Sequence, residues 1–314
     1  MTPSPSFLCL GTATYGADPD EATSFALLDT YVELGGNVID TARCYSDWIP
    51  GEKSRSEKLI GCWLKKSGKR GELIIATKGG HPEMDDFTKV RMSRAELGAD
   101  IDASRRALGV DAIDLFWLHR DDIRQPVDAL LEHLEHFREK GWIRHYGGSN
   151  FSAARLRQAA AAAQRMQVPG LCASQPFGCL GARHRKPLEI PLLEKLDDAA
   201  EAFHEESRMP VFPYTSQAGG YFDKAQRLGA AHESLAANPF HTAPNIALAA
   251  RLSELSAASA HPVSVLTLAW WRTKPYPVHP IIGCRTIAQL KDSFAALDVD
   301  EATLAQLRVI EAAV

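Results

Sequence analysis

The stretch from Leu73 to Leu118 opens on LIIATK (73–78), closes on IDLFWL (113–118) and carries an amphipathic segment over 93–108 between them. Each run is short and largely apolar, as a strand buried on both faces is, and the segment between has the length of a helix. Two such runs joined by a helix predict parallel pairing through a right-handed crossover. The same unit repeats in both directions. Upstream lie a strand at 7–12 (FLCLGT), a helix at 20–34 with Asp20 as its N-cap and Gly35-Gly36 as its stop, a strand at Val38-Ile39-Asp40, and a helix over 54–66. Downstream, Pro126 opens a helix that Gly141 ends. Strands at 143–148, 171–175, 211–214 and 279–282 follow, with helices at 153–166, 192–206, 286–296 and about 301–312.

Eight strands separated by helices predict a (β/α)8 barrel, a parallel eight-stranded α/β fold spanning 1–314 as one domain. A doubly wound open sheet is the alternative. Against it, no G-x-G-x-x-G follows the first strand, because Gly11-Thr12-Ala13-Thr14-Tyr15-Gly16 has the wrong spacing. Two stretches, 176–191 and 219–261, exceed a bare unit and are expected to run over the active face.

Composition narrows the class. The chain is 45% hydrophobic, which excludes a disordered protein, and its net charge of −4 gives no basic surface for nucleic acid. No run of 18 apolar residues predicts a membrane span. The start, MTPSPS, has neither a basic nor an apolar signal region, and the six cysteines are scattered without a C-x-x-C. Both features suit reduced thiols and a cytoplasmic location.

Barrel enzymes carry their chemistry at the C-terminal ends of strands. That rule selects Asp40, Lys78, His119, Ser149-Asn150, Gln175 and Tyr214, with Tyr45 five residues beyond Asp40. Asp40 to Lys78 and Lys78 to His119 are each one strand–helix unit, so the groups should stand side by side. A buried lysine needs a counter-charge, and Asp40 is the natural one. A cation beside the Tyr45 phenol should lower its pKa and make it a general acid. His119 can orient a substrate carbonyl. Together these groups polarise a C=O and protonate its oxygen as hydride arrives at carbon.

The sequence resembles the aldo-keto reductase superfamily over nearly its whole length. The resemblance rests on LGTATYG (10–16), NVIDTARCYSD (37–47), SEKLIG (56–61), IIATKGG (74–80), DLFWLHR (114–120), GWIRHYGGSNFS (141–152), ASQPF (173–177), VFPYTSQAGG (211–220) and PIIGCRTIAQL (280–290). It implies an NADPH-dependent oxidoreductase that reduces an aldehyde or ketone, with Asp40, Tyr45, Lys78 and His119 as the catalytic tetrad. It also implies a nicotinamide cofactor held without a Gly-rich loop, with Thr12 among the contacts. Ser149, Asn150 and Gln175 match the positions that hold the carboxamide, and Tyr214 the ring that stacks on the nicotinamide. Ser216, Gln217 and Gly219 match the loop over the pyrophosphate. Gly283, Cys284, Arg285 and Gln289 open the last barrel helix, whose N-terminus favours phosphate. Arg285 is the candidate for the 2′-phosphate, which favours NADPH, with NADH possible. The position often Asn in the family is Ser293 here, and the preceding Glu is Asp292. The expected N-terminal β-hairpin plug is missing, since only six residues precede the first strand.

Tyr15, Trp48 and Arg120 are expected around a small-molecule carbonyl substrate, a sugar or other polyhydroxylated compound suiting that mouth. Asp121 or Asp122 could equally neutralise Arg120. No metal is expected; His133 and His136, three apart on a helix, read as a solvated face. A homo-oligomer is possible. Two other classes stay open. A lysine at a strand end is also the signature of a Schiff-base lyase or aldolase using Lys78. A non-catalytic, cofactor-binding regulatory subunit of the barrel type is the other.

Overall fold

The computed structural model describes residues 3–83, 86, 89–187 and 193–313. Its parallel strands are β1 (Cys9–Gly11), β2 (Val38–Asp40), β3 (Ile74–Gly79), β4 (Ile113–Leu118), β5 (Ile143–Ser149), β6 (Ser174–Gln175) and β7 (Ile281–Ile282). Their order in the sheet is β6-β5-β4-β3-β2-β1-β7, so chain neighbours are spatial neighbours and the last strand returns to the first. Five helices cover the early crossovers: α1 (Glu21–Glu33), α2 (Arg55–Ser67), α3 (Arg94–Leu108), α4 (Val127–Glu139) and α5 (Ala153–Met166). The Asp20 cap matches the expectation from the sequence. Asp20 accepts from Thr23 N, Ser93 and Glu96 form a capping box, and Gly109 ends α3 in the left-handed region.

The segment expected as a strand at 211–214 is instead a set of isolated ladder contacts, including a parallel bridge from Tyr214 to Phe177. Val211 bridges Ser174 on one side and Val278 on the other, both parallel. Phe212 N donates to Ser174 O (2.8 Å) and Ile281 N to Pro213 O (3.0 Å). These contacts close the ring between β6 and β7, giving the (β/α)8 barrel. The physical reason for the broken ladder is the proline density. Pro210, Pro213, Pro277 and Pro280 lack N–H groups, so no continuous run of ladder bonds forms there. The same interruption shortens the expected 279–282 strand to two residues.

The later helices are α6 (Asp198–Ser207), α7 (Tyr221–Leu228), α8 (Ala243–Ser259), α9 (Val263–Ala269), α10 (Ile287–Phe294) and α11 (Glu301–Ala312). The expected helix at 192–206 starts later, where Asp197 caps α6 by accepting from Ala200 N; residues 188–192 lie outside the described part. The 219–261 excursion is α7 and α8, and α9 was not expected at all. Among the described residues no strand precedes β1. No helix is long and apolar enough to cross a membrane.

Strand periodicity sorts the interior. Cys9, Val38, Ile74, Ala76, Leu115, Trp117, Ala173, Phe212 and Ile281 form one cluster inside the ring. The alternate residues Leu10, Ile39 and Ile75 pack outward on one helical side, and Phe116, Leu118, Ile143 and Tyr146 on the other. Gly147 makes room for this filling: a Cβ there would meet the Trp117 ring at 2.4 Å.

Candidate active site

Counting the inward positions upward brings the polar residues to the rim. Val38 leads to Asp40, Ile74 and Ala76 lead to Lys78, and Leu115 and Trp117 lead to His119. The register pairs Asp40 with Ala76 and Lys78 with Trp117, so each polar group tops its own column of apolar filling. Lys78 and Asp40 are 1% and 3% exposed at their side chains and form an ion pair. Lys78 Nζ also donates to Thr41 O (2.8 Å) and to the Tyr45 hydroxyl (2.9 Å). All three ammonium protons are therefore used. Burial alone would lower the Lys78 pKa, but Asp40 and then Tyr45 more than offset it and hold the amine above its ordinary range.

The expected lowering of Tyr45 is only half of what happens. Burial pushes the phenol up, Lys78 pulls it back in part, and the net direction is upward. Tyr45 is thus a protonated phenol at neutral pH, with its oxygen on a fixed cation. His119 is driven well below its ordinary range by burial, then by Arg120, His81 and Lys78. It is a neutral imidazole, edge-on to the Tyr45 ring at 6.0 Å between centroids.

A second line of polar groups continues around the rim. Gln175 Nε2 donates to the other Asp40 oxygen (2.9 Å), so this amide is turned toward the ion pair. Ser149 Oγ donates to Gln175 O (3.0 Å). Asn150 Nδ2 lies 3.1 Å from His119 O and from Ser149 Oγ, and the Tyr214 hydroxyl donates to Asn150 Oδ1 (2.7 Å). Asn150 adopts a left-handed backbone (φ 60°) that lets it turn at the strand end. The link from Gln175 to Asp40 was not legible in the sequence, because the two lie 135 residues apart.

Other expected residues are placed farther along. Thr12 is fully buried and donates its hydroxyl to Asp40 O (2.9 Å). Ser216 Oγ donates to Ile281 O (2.6 Å) and Gln217 Nε2 to Ser264 O (3.1 Å). Cys284 is buried, with its sulfur 3.8 Å from Ser293 Oγ. Thr286 caps α10 by accepting from Gln289 N, while Gln289 Oε1 accepts from Arg285 N (2.9 Å). Arg285 and Asp292 are exposed, and Arg285 sits 3.4 Å from Asp18. Gly219 and Gly283 have open space where a Cβ would stand, and Gly219 has φ 61°. An open glycine edge, a helix N-terminus and a guanidinium fit the diphosphate and phosphate of a dinucleotide.

Of the three residues expected around a substrate, Trp48 is exposed and Arg120 half-buried. Tyr15 is packed into the core at 1% exposure, with a buried hydroxyl that has no hydrogen-bond partner among the described residues, and so offers no open surface. Arg120 is not neutralised by its neighbours. Asp121 is paired with Arg155 (2.9 Å) and Asp122 with Arg124 (2.7 Å). Arg120 donates only to His119 O (2.9 Å), and no carboxylate pairs with it among the described residues. Burial lowers its pKa, as expected for an uncompensated cation.

Cys44, His81 and His119 also converge at this rim, with their ligand atoms within 4.8 Å of one another. They lie 37 and 38 positions apart, the strand–helix period that aligned Asp40, Lys78 and His119.

The model of the aldo/keto reductase family matches residues 7–314. An uncharacterized oxidoreductase of Bacillus subtilis is 28% identical over 94% of this chain and 88% of its own length. A norsolorinic acid reductase of Emericella nidulans is 26% identical over 93% of this chain and 74% of its own. An NADP(+) aldo-keto reductase of Schizosaccharomyces pombe is 25% identical over 98% and 87%.

Proposed function

The chain belongs to the aldo/keto reductase family, and on that premise we propose an NADPH-dependent carbonyl reductase in which Tyr45 is the proton donor. The observation that carries this reading is the Asp40–Lys78–Tyr45 chain, sealed on its inner side and ending in a protonated phenol. A reduced nicotinamide, when bound, supplies the hydride. Ser149, Asn150 and Tyr214 would hold its ring end; Gln217, Gly219, Gly283 and Arg285 would hold its phosphates.

The rest is done by this chain. His119, neutral, donates one ring N–H to the carbonyl oxygen and orients it. Tyr45 passes its proton to that oxygen as negative charge develops there. Lys78, fixed by Asp40 and Thr41, stabilises the phenolate that remains. Such a proton transfer contributes about 10²–10⁴-fold in rate. Arg120, a cation with no carboxylate partner among the described residues, would receive an anionic or hydroxyl-rich part of the substrate.

The Schiff-base alternative needs a neutral amine with a lone pair. Lys78 is instead charged, with three acceptors on its three protons. The complete Asp–Lys–Tyr–His set supports a catalytic role over that of a purely cofactor-binding subunit.

The test is fluorescence titration with NADPH and NADH, followed by absorbance loss of NADPH with a panel of aldehydes and ketones. Tighter NADPH binding and carbonyl-dependent consumption are expected. Absence of binding to either nucleotide, or borohydride trapping of a carbonyl compound on Lys78, would overturn the reading.

A further inference from the structure

We propose that Cys44, His81 and His119 form a binding site for a zinc-class divalent cation, and that its occupancy reversibly shuts the barrel mouth. The three residues follow the neighbouring strands β2, β3 and β4, in the segments just beyond their C-terminal ends. A tetrahedral zinc with a Zn–S bond of about 2.3 Å and a Zn–N bond of about 2.0 Å separates sulfur from nitrogen by roughly 3.5 Å. Cys44 Sγ and His119 Nδ1 are already 3.8 Å apart. The His81 and His119 rings lie 4.6 Å apart between centroids. The candidate ligand atoms of all three residues lie within 4.8 Å of one another.

The second-sphere bond that orients a metal-ligating histidine is also present. His81 Nδ1 lies 2.7 Å from Pro82 O. A carbonyl can only accept, so Nδ1 carries the proton and the lone pair is on Nε2. Burial and the Arg120 charge lower the pKa of both imidazoles, His81 to about 4. A thiol and two imidazoles select a zinc-class ion over magnesium or calcium.

Burial pushes the Cys44 thiol up to about 12, with Lys78 and Arg120 pulling the other way and Asp47 adding to the rise. Binding therefore displaces a proton: the S–H bond breaks, a sulfur–metal bond forms, and one proton goes to solvent with no change in oxidation state. Solvent takes the fourth position. The ion then sits beside His119 and the Tyr45 ring, where a carbonyl oxygen must enter. Lys78 and Arg120 repel the dication while the thiolate attracts it, which makes the site reversible rather than permanent.

Cobalt(II) titration of the full chain, kept reduced with a non-thiol reductant, tests this directly. A thiolate-to-cobalt charge-transfer band is expected, displaced by zinc, with release of one proton per ion. Cys44→Ala should abolish the band, and His81→Gln should weaken binding at least tenfold. The Cys62→Ser/Cys172→Ser double variant, which removes the two exposed thiols, should retain the band. Zinc should stop NADPH consumption by the native chain and spare it in Cys44→Ala. No band, or a band that survives Cys44→Ala, would overturn the site; zinc binding with unchanged turnover would overturn the shut-off. Only this turnover arm rests on the reductase reading, and the spectrum stands if that reading fails.

Discussion

Lys78 and Arg285 are both cations at the C-terminal end of the barrel, and they are held in opposite ways. Lys78 is 1% exposed, tops a column of apolar side chains, and has all its protons bound. Arg285 is 67% exposed on the loop before α10 and meets Asp18 at 3.4 Å across solvent. The first sits on a six-residue strand in continuous register. The second follows the proline-interrupted arc where the ladder is reduced to bridges. Long, inward-facing strands position chemistry by burial; loops and a helix end leave a grip that a ligand completes.

The sharpest way to break this contrast is at Tyr45. Tyr45→Phe keeps the ring and removes the proton, so turnover should fall about 10²–10⁴-fold while NADPH affinity stays near native. Steady-state kinetics with nucleotide titration reads both, and full activity would sink the assignment. Asp40→Ala comes next. It leaves a buried ammonium unpaired and takes an acceptor from Gln175, so denaturant unfolding should report a loss of about 3–5 kcal/mol. Asp18→Ala removes the partner of an exposed cation and should cost at most about 1 kcal/mol. Equal losses would mean that the two cations are not held differently.

Arg285→Ala should weaken NADPH binding roughly tenfold, the loss of one charge-assisted phosphate contact, and leave NADH binding unchanged. An equal effect on both nucleotides would move the 2′-phosphate elsewhere. The smallest effect concerns pH. His81 and His119 have folded pKa values below their ordinary 6.5, so below that pH the unfolded chain binds more protons. Stability should therefore fall as pH drops from 6.5 toward 4, and His81→Gln should flatten part of that slope in thermal melts. A slope unchanged by the substitution would contradict a buried neutral His81.

The same contrast explains what the sequence disclosed. LIIATK and IDLFWL are short, largely apolar runs, so their ends, and hence Lys78 and His119, could be placed from the strand–helix period. The 211–214 segment carries the same apolar signal, but Pro210 and Pro213 deprive it of donors, which periodicity does not register. Gln175 on Asp40 is a product of ring closure between distant positions, and the Cys44–His81–His119 convergence depends on the path of the loops after β2 and β3. From the sequence, Tyr15 is expected around the substrate as part of an aromatic and charged mouth. The chain turns there, and its ring enters the core instead, with Ser46 Oγ donating to its backbone carbonyl (2.9 Å). Arg120 could not be read until Asp121 and Asp122 were seen to be taken by Arg155 and Arg124.

The most direct test of the account is isotope transfer in a single turnover. NADPH carrying deuterium at its transferable position is mixed with an accepted carbonyl compound, and the product is read by mass spectrometry. The account predicts deuterium on the carbinol carbon of the native enzyme's product and a collapse of that rate in Tyr45→Phe. An alcohol without deuterium, or transfer at the native rate in Tyr45→Phe, would contradict it.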